Sequence, residues 1–265
     1  MDNLKNQMWL LTVDNPKVMK GAKKGVLTGV LHLLPAREYA RLAALNGDPV
    51  GENLCPWAGA CKASCLNTAG RGGIPMARYV GTAFANNVQH GRYKRTRLLH
   101  ADPDLFRRRL EADIDALVAW GRANDFDVAL RLNGTSDLHW EARFPGLAGF
   151  LSDRGVVRYD YTKDPTRALA GTVDGVRYTY SLDKGAAREA IARRVLRQGG
   201  NVAVVVTRSA PLPAIWWGFP TVDGDETDLR HLDPPGHVVL LRAKGKARAD
   251  RSGFVRDVVT GQPVV

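Results

Sequence analysis

Cysteine, acid and long apolar runs are all scarce in this sequence. The three cysteines fall between positions 55 and 65, so no thiol elsewhere is available to pair with them. An odd, clustered trio makes a poor disulfide framework, and free thiols fit a reducing compartment. No stretch of the 265 residues approaches the length of apolar chain that crosses a membrane, and residues 1–20 lack the apolar core preceded by basic residues of a secretory signal. These absences predict a cytoplasmic protein with no membrane partner. Asp and Glu number 27 against 38 Lys and Arg, a net charge of +11. That deficit of acid favours a polyanionic partner, a nucleic acid or nucleotide, over acidic proteins and neutral metabolites. No G-x-S-x-G elbow, H-E-x-x-H pair or deaminase H-x-E with P-C-x-x-C occurs, although His139 and Glu141 stand in H-x-E order.

What is present centres on Cys55-Pro56-Trp57-Ala58-Gly59-Ala60-Cys61-Lys62-Ala63-Ser64-Cys65, followed by Gly70, Gly72 and Gly73. Soft sulfur donors on one short loop suit a shared zinc ion or an iron–sulfur cluster, and the glycines let the backbone turn and approach a bound group. The bland reading of the same residues is three small apolar side chains packing a loop. A structural zinc needs four ligands, and the first histidine after Cys65 is His90, outside finger-like spacing. A [4Fe-4S] cluster held by Cys55, Cys61 and Cys65, with one iron open, fits the count better; zinc is the alternative.

Along the chain, residues 1–24 read as an N-terminal arm or cap. Residues 25–248 read as a single β/α domain, and residues 249–265 as a C-terminal tail. Gly25–Leu34 is an apolar run bounded by Gly and Pro, a buried first strand, and Arg37–Leu45 has the length of a short helix. Residues 74–97 form a basic tract with interleaved aromatics, in which Arg95 and Arg97 are candidate phosphate contacts. Asp102-Pro103-Asp104 opens an amphipathic helix carrying Leu105, Leu110, Ile114, Leu117, Val118 and Trp120, closed by Gly121. Further strands are expected at Asp127–Leu132, Gly155–Tyr161, Val176–Ser181, Asn201–Val206 and His237–Arg242, with a helix over Ala186–Arg197 ended by Gly199-Gly200. Strands separated by helix-length connections favour parallel pairing. The expected class is α/β, a partial β/α barrel of about six parallel strands with the cysteine loop after the first.

In such a fold, chemistry gathers at the carboxyl ends of the strands. The polar segments there are Asn133-Gly134-Thr135-Ser136-Asp137, then Asp160 to Lys163 flanked by Tyr159 and Tyr161, then Asp183 and Lys184, and the basic loop containing Lys244, Lys246 and Arg248. Asp137, Asp160 and Lys163 are the candidate catalytic residues, and the basic loop a phosphate clamp. The acidic run Asp223 to Asp228 reads as a turn, since it lacks EF-hand spacing. Trp216-Trp217-Gly218-Phe219 reads as a lid or a closing element.

A first strand, a three-cysteine loop and about five further β/α units resemble the radical S-adenosylmethionine enzymes over residues 25–242. The cysteine spacing, C-x5-C-x3-C, is wider than that family's usual C-x3-C-x2-C. The resemblance implies a [4Fe-4S] cluster on Cys55, Cys61 and Cys65. It also implies that Asn133, Gly134, Thr135, Ser136 and Asp137 hold the amino-acid end of S-adenosylmethionine. The CP…C…CL segment before a strand ending in a polar turn is also similar to proteins of bacteriophages and related mobile elements. Three functions follow as expectations. The first is an iron–sulfur enzyme acting on nucleic acid or a nucleotide. The second is a zinc-containing base-modifying or base-exchanging barrel, and the third a non-catalytic, metal-containing nucleic-acid-binding phage protein.

Overall fold

The computed structural model describes residues 2–35 and 38–265. They form two compact units, Met1–Pro56 with Gly70–Arg158, and Trp57–Ala69 with Tyr159–Val265.

The first unit contains α1 (Asp2–Gln7), β1 (Leu11–Thr12), α2 (Pro16–Ala22), β2 (Val26–Leu31), α3 (Glu38–Asn46), α4 (Asn87–Ala101), α5 (Pro103–Ala123), β3 (Asp127–Arg131), α6 (Trp140–Arg143), α7 (Leu147–Ser152) and the start of β4 (Val157–Thr162). Every residue of β2 is buried, as its unbroken apolar run predicts for a central parallel strand. β3 pairs parallel to β2, Leu27 opposite Val128, and β4 parallel to β3, while β1 runs antiparallel along the other side of β2. α5 begins where the sequence predicts: Asp102 accepts the Leu105 amide at 2.8 Å and Pro103 occupies the first turn. It buries Phe106, Leu110, Ile114, Leu117 and Val118 in one core with Leu27, Leu31, Val128 and Leu130. Gly121 is needed on that face, because a Cβ there would lie 2.5 Å from Val128 Cγ2. α3 covers the expected short helix; Arg37, its expected first residue, lies outside the described residues.

Residues 2–24 are tied to this unit by a group that pattern reading did not single out. Asp113, buried on α5 amid apolar neighbours, accepts the amides of Trp9 (3.0 Å), Leu10 (2.7 Å) and Leu11 (2.9 Å). A buried carboxylate is tolerated only with such donors, and here they also orient β1 against β2.

The second unit holds the rest of β4, α8 (Pro165–Ala170), β5 (Thr172–Val173), β6 (Val176–Ser181), α9 (Ala186–Arg197), β7 (Asn201–Val206), β8 (Ile215–Trp216), β9 (Phe219–Asp223) and β10 (Val238–Arg242). The strand order is β4-β6-β7-β10-β9-β8, parallel from β6 through β9, with β5 and β8 added as antiparallel hairpin partners of β6 and β9. Val195 and Leu196 of α9 pack with Val202, Val204, Val238 and Leu240 beneath.

All six expected strands form, so the α/β, largely parallel class holds. The count is a correction: the described residues contain ten strands, not six. The additional ones are the two-residue strands β1, β5 and β8, and β9, too short or too polar for an apolar period to reveal. The barrel is not borne out either, since each unit's strand order is linear, ending on β1 in the first and on β8 in the second. The Trp-Trp-Gly-Phe segment is the β8–β9 turn, with Trp217 and Gly218 both left-handed (φ 55° and 84°), the pair of positive angles a tight hairpin requires.

Candidate functional site

In the second unit, the carboxyl ends of β4 and β6 carry the densest polar cluster. Lys163, just past β4, directs its ammonium to the Ser181 carbonyl (2.9 Å), the Ser181 hydroxyl (3.1 Å) and the Leu182 carbonyl (3.1 Å), and its Nζ stands 3.8 Å from Asp183. Asp183, just past β6, accepts the amides of Gly59 (3.0 Å), Ala60 (3.1 Å) and Lys184 (2.8 Å). The start of the cysteine loop is therefore held over the carboxyl end of a parallel strand by a single buried carboxylate. A Cβ at Gly59 would lie 3.0 Å from Asp183 Oδ2, so a side chain there would push the clamping carboxylate back by a few tenths of an ångström. Burial pushes the Asp183 carboxyl up, but Lys163 and the surrounding donors outweigh it and hold the group below the ordinary carboxylate value.

Around this centre, Arg188 donates to the Lys163 carbonyl at 3.1 Å and stands over the Trp57 ring at 5.7 Å. Asp160, buried on β4, accepts the Tyr161 amide at 3.2 Å. Tyr159, which flanks Asp160, is buried with its ring against His231, centroids 4.8 Å apart, so it presents no free ring face at the strand ends.

The three cysteines divide between the units. Cys55 belongs to the first, its thiol directed at the Thr135 carbonyl, 3.6 Å away. Cys61 and Cys65 belong to the second. Cys65 Sγ accepts the Asn67 amide at 3.5 Å and so caps the turn Leu66–Thr68. Cys61 packs against Ala243, Ala247, Phe254 and Val255. Burial pushes its thiol up to about 11, with Lys163 opposing and Asp183 adding to the rise. Within each unit by itself, no three His, Cys, Asp or Glu ligand atoms converge among the described residues.

In the first unit, Asn133 to Asp137 follow β3 as expected, but their polar groups build the turn itself. Asn133 Oδ1 accepts from the Leu138 amide (2.9 Å), the Ser136 hydroxyl (2.9 Å) and the Trp140 indole (3.1 Å), and its amide donates to the Leu138 carbonyl. Thr135 donates to the Leu33 carbonyl at 2.5 Å. Gly134 crosses so close to β2 that a Cβ would meet the Leu31 carbonyl oxygen at 2.6 Å. Asp137 is buried, and its amide donates to the Leu54 carbonyl at 2.8 Å, next to Cys55 in sequence.

The candidate phosphate contacts divide sharply. Arg97 pairs with Asp48 at 2.8 Å, and Arg95 is half-buried against the Trp9 carbonyl. Lys244 pairs with Asp225 at 2.6 Å, and beside it Arg242 pairs with Asp223 at 2.9 Å. The acidic run after β9 is thus the partner of the basic loop after β10. Lys246 and Arg248 are exposed. Asp183 stands in the sequence only as one of several strand-end acids, and Ser64, which no sequence motif singles out, donates to Asp250 at 2.6 Å and fixes the middle of the cysteine loop.

A family model described as Gene product 88 matches residues 9–258. The chain belongs to the Gene product 88 family. The match spans both units and includes the cysteine loop, and a family titled by gene-product number accords with the resemblance to bacteriophage proteins. No curated protein and no solved structure matches the chain. No helix among the described residues is long and apolar enough to cross a membrane.

Proposed function

We propose that this member of the Gene product 88 family is an iron–sulfur enzyme of the radical S-adenosylmethionine type, acting on a nucleic acid or nucleotide. The observation that carries this reading is the clamp of Asp183 on Gly59 and Ala60, which fixes the cysteine loop over the strand ends where α/β proteins place their chemistry. The assignment of Cys55, Cys61 and Cys65 as cluster ligands rests on their spacing in the sequence. An open cluster iron would supply electrons and a coordination site for the cofactor. The chain's own groups would prepare the site: Asp183 positions the loop through the Gly59 and Ala60 amides, and the Cys61 proton must leave to solvent before its sulfur can ligate. Lys163 holds that carboxylate ionised, and Asp160 and Arg188 line the strand ends nearby. Asp137 and the turn from Asn133 are the proposed holders of the cofactor's amino-acid end.

The test is metal and sulfide content after anaerobic purification, for wild type and Cys61→Ser. About four irons and four sulfides per chain with visible cluster absorption are expected, falling by more than half in Cys61→Ser. One zinc without iron would select a zinc enzyme instead, and metal-free protein would end both readings. A second reading is favoured by Cys61 itself, an apolar-packed thiol: a non-catalytic nucleic-acid-binding protein whose cysteines only pack the loop. Metal-free protein that binds oligonucleotides in a salt-dependent way selects it.

A further inference from the structure

The second unit has a pocket of about 180 Å³ lined by Thr207, Arg208, Ala243, Ala247, Arg248, Asp250, Arg251, Val255 and Val264. It opens at the carboxyl ends of β7 and β10, adjacent parallel strands in which Val206 stands opposite Arg242. Ligands of open α/β sheets bind outside such ends. We propose that this pocket is a phosphoryl-binding subsite whose contacts are the guanidinium groups of Arg208, Arg248 and Arg251.

Four features argue for it. All three arginines are exposed at the rim, and their fork-shaped donors match phosphate oxygens. The floor of Ala243, Ala247 and Val255 is buried and apolar, so it offers an anion no competing acceptor. The one acid in the lining, Asp250, is already occupied by the Ser64 hydroxyl (2.6 Å), the Ser252 hydroxyl (2.8 Å) and the amides of Ser252 (3.3 Å) and Val255 (3.2 Å). Three cations therefore face one buried anion whose oxygens already accept from protein donors. Finally, Arg251 is fixed in place by donating to the Asp250 carbonyl at 3.0 Å. Whole small molecules occupy sites of roughly 300–1,000 Å³. This smaller volume suits one phosphoryl group with part of its sugar, from either a free nucleotide or a nucleic-acid backbone.

The subsite deepens the nucleic-acid or nucleotide part of the proposed function and is independent of the cluster. Its test measures binding of inorganic phosphate, 5′-AMP and a single-stranded oligonucleotide to wild type, Arg208→Ala, Arg248→Ala, Arg248→Lys and Lys23→Ala, an exposed-residue variant of the first unit, with iron content determined on the same samples. Each arginine-to-alanine change weakens binding about tenfold, Arg248→Lys recovers only part of it, and Lys23→Ala changes nothing. Loss confined to 5′-AMP assigns a terminal phosphate. Loss confined to the oligonucleotide, with a salt slope lower by about one per arginine, assigns a backbone phosphate. Wild-type binding in both alanine variants, equal loss in Lys23→Ala, or no binding of any probe overturns the subsite. Iron absent with the arginine effect intact sinks only the cluster reading.

Discussion

Asp183 and Cys61 are shifted in opposite directions from their ordinary values, and each predicts a pH window. Asp183 lies below its ordinary value of 3.8 in the folded chain, so its contribution to stability is full above that value and is lost as pH falls through the folded one. Replacing it with Asn leaves several buried donors poorly paired. We expect a loss of about 2 kcal/mol at neutral pH, measured by urea denaturation, and faster proteolysis within residues 57–69. Cys61 is raised from 9.0 to about 11, so the stability it confers is full below pH 9 and is lost between pH 9 and 11. The difference in stability between wild type and Cys61→Ala should shrink across that interval. In metal-free protein, iodoacetamide at pH 8 should modify Cys61 far more slowly in the folded chain than in urea.

Elements were legible where a local signal was complete. α5 has its Asp-Pro start and a full apolar stripe, and β7 is a run of valines closed by turns, so both lie within a residue or two of their expected bounds. β1 and β8 have two residues each, too few to show a period, and exist because a neighbour supplies the hydrogen bonds. The turn after β3 was legible as a place, though its use was not: nothing in the residue types of Asn133 or Ser136 says that both are spent on one another. Gly134→Ala tests how tightly that turn is built, because the atom it would strike is backbone. It should cost about 2–3 kcal/mol by thermal or chemical melting. Asp113→Ala should cost a similar amount, about 2–3 kcal/mol, and expose residues 2–24 to protease while α5 stays helical by circular dichroism.

For the whole molecule, the excess of base was visible in the composition but its distribution was not. Of the five cations singled out from the sequence, Arg97 and Lys244 are matched with acids and Arg95 donates to a backbone carbonyl, while Arg208, carried by no charged run, lines the pocket. Net charge therefore overstates the surface available to a polyanion. Oligonucleotide affinity should fall with salt along a slope set by a few phosphate contacts, well short of the +11 total. The cysteine loop was recognised from its residues, whereas its anchors were not, since Asp183 and Asp250 lie 124 and 186 residues from the loop atoms they hold.

That separation bears on how the chain is made. Synthesis runs from the amino terminus, so residues 57–69 leave the ribosome long before Asp183 or Asp250 exists. For that interval Cys61 and Cys65 are unsheltered thiols on a nascent segment with nothing to fold against. Only when the last third of the polypeptide has emerged do they acquire their burial.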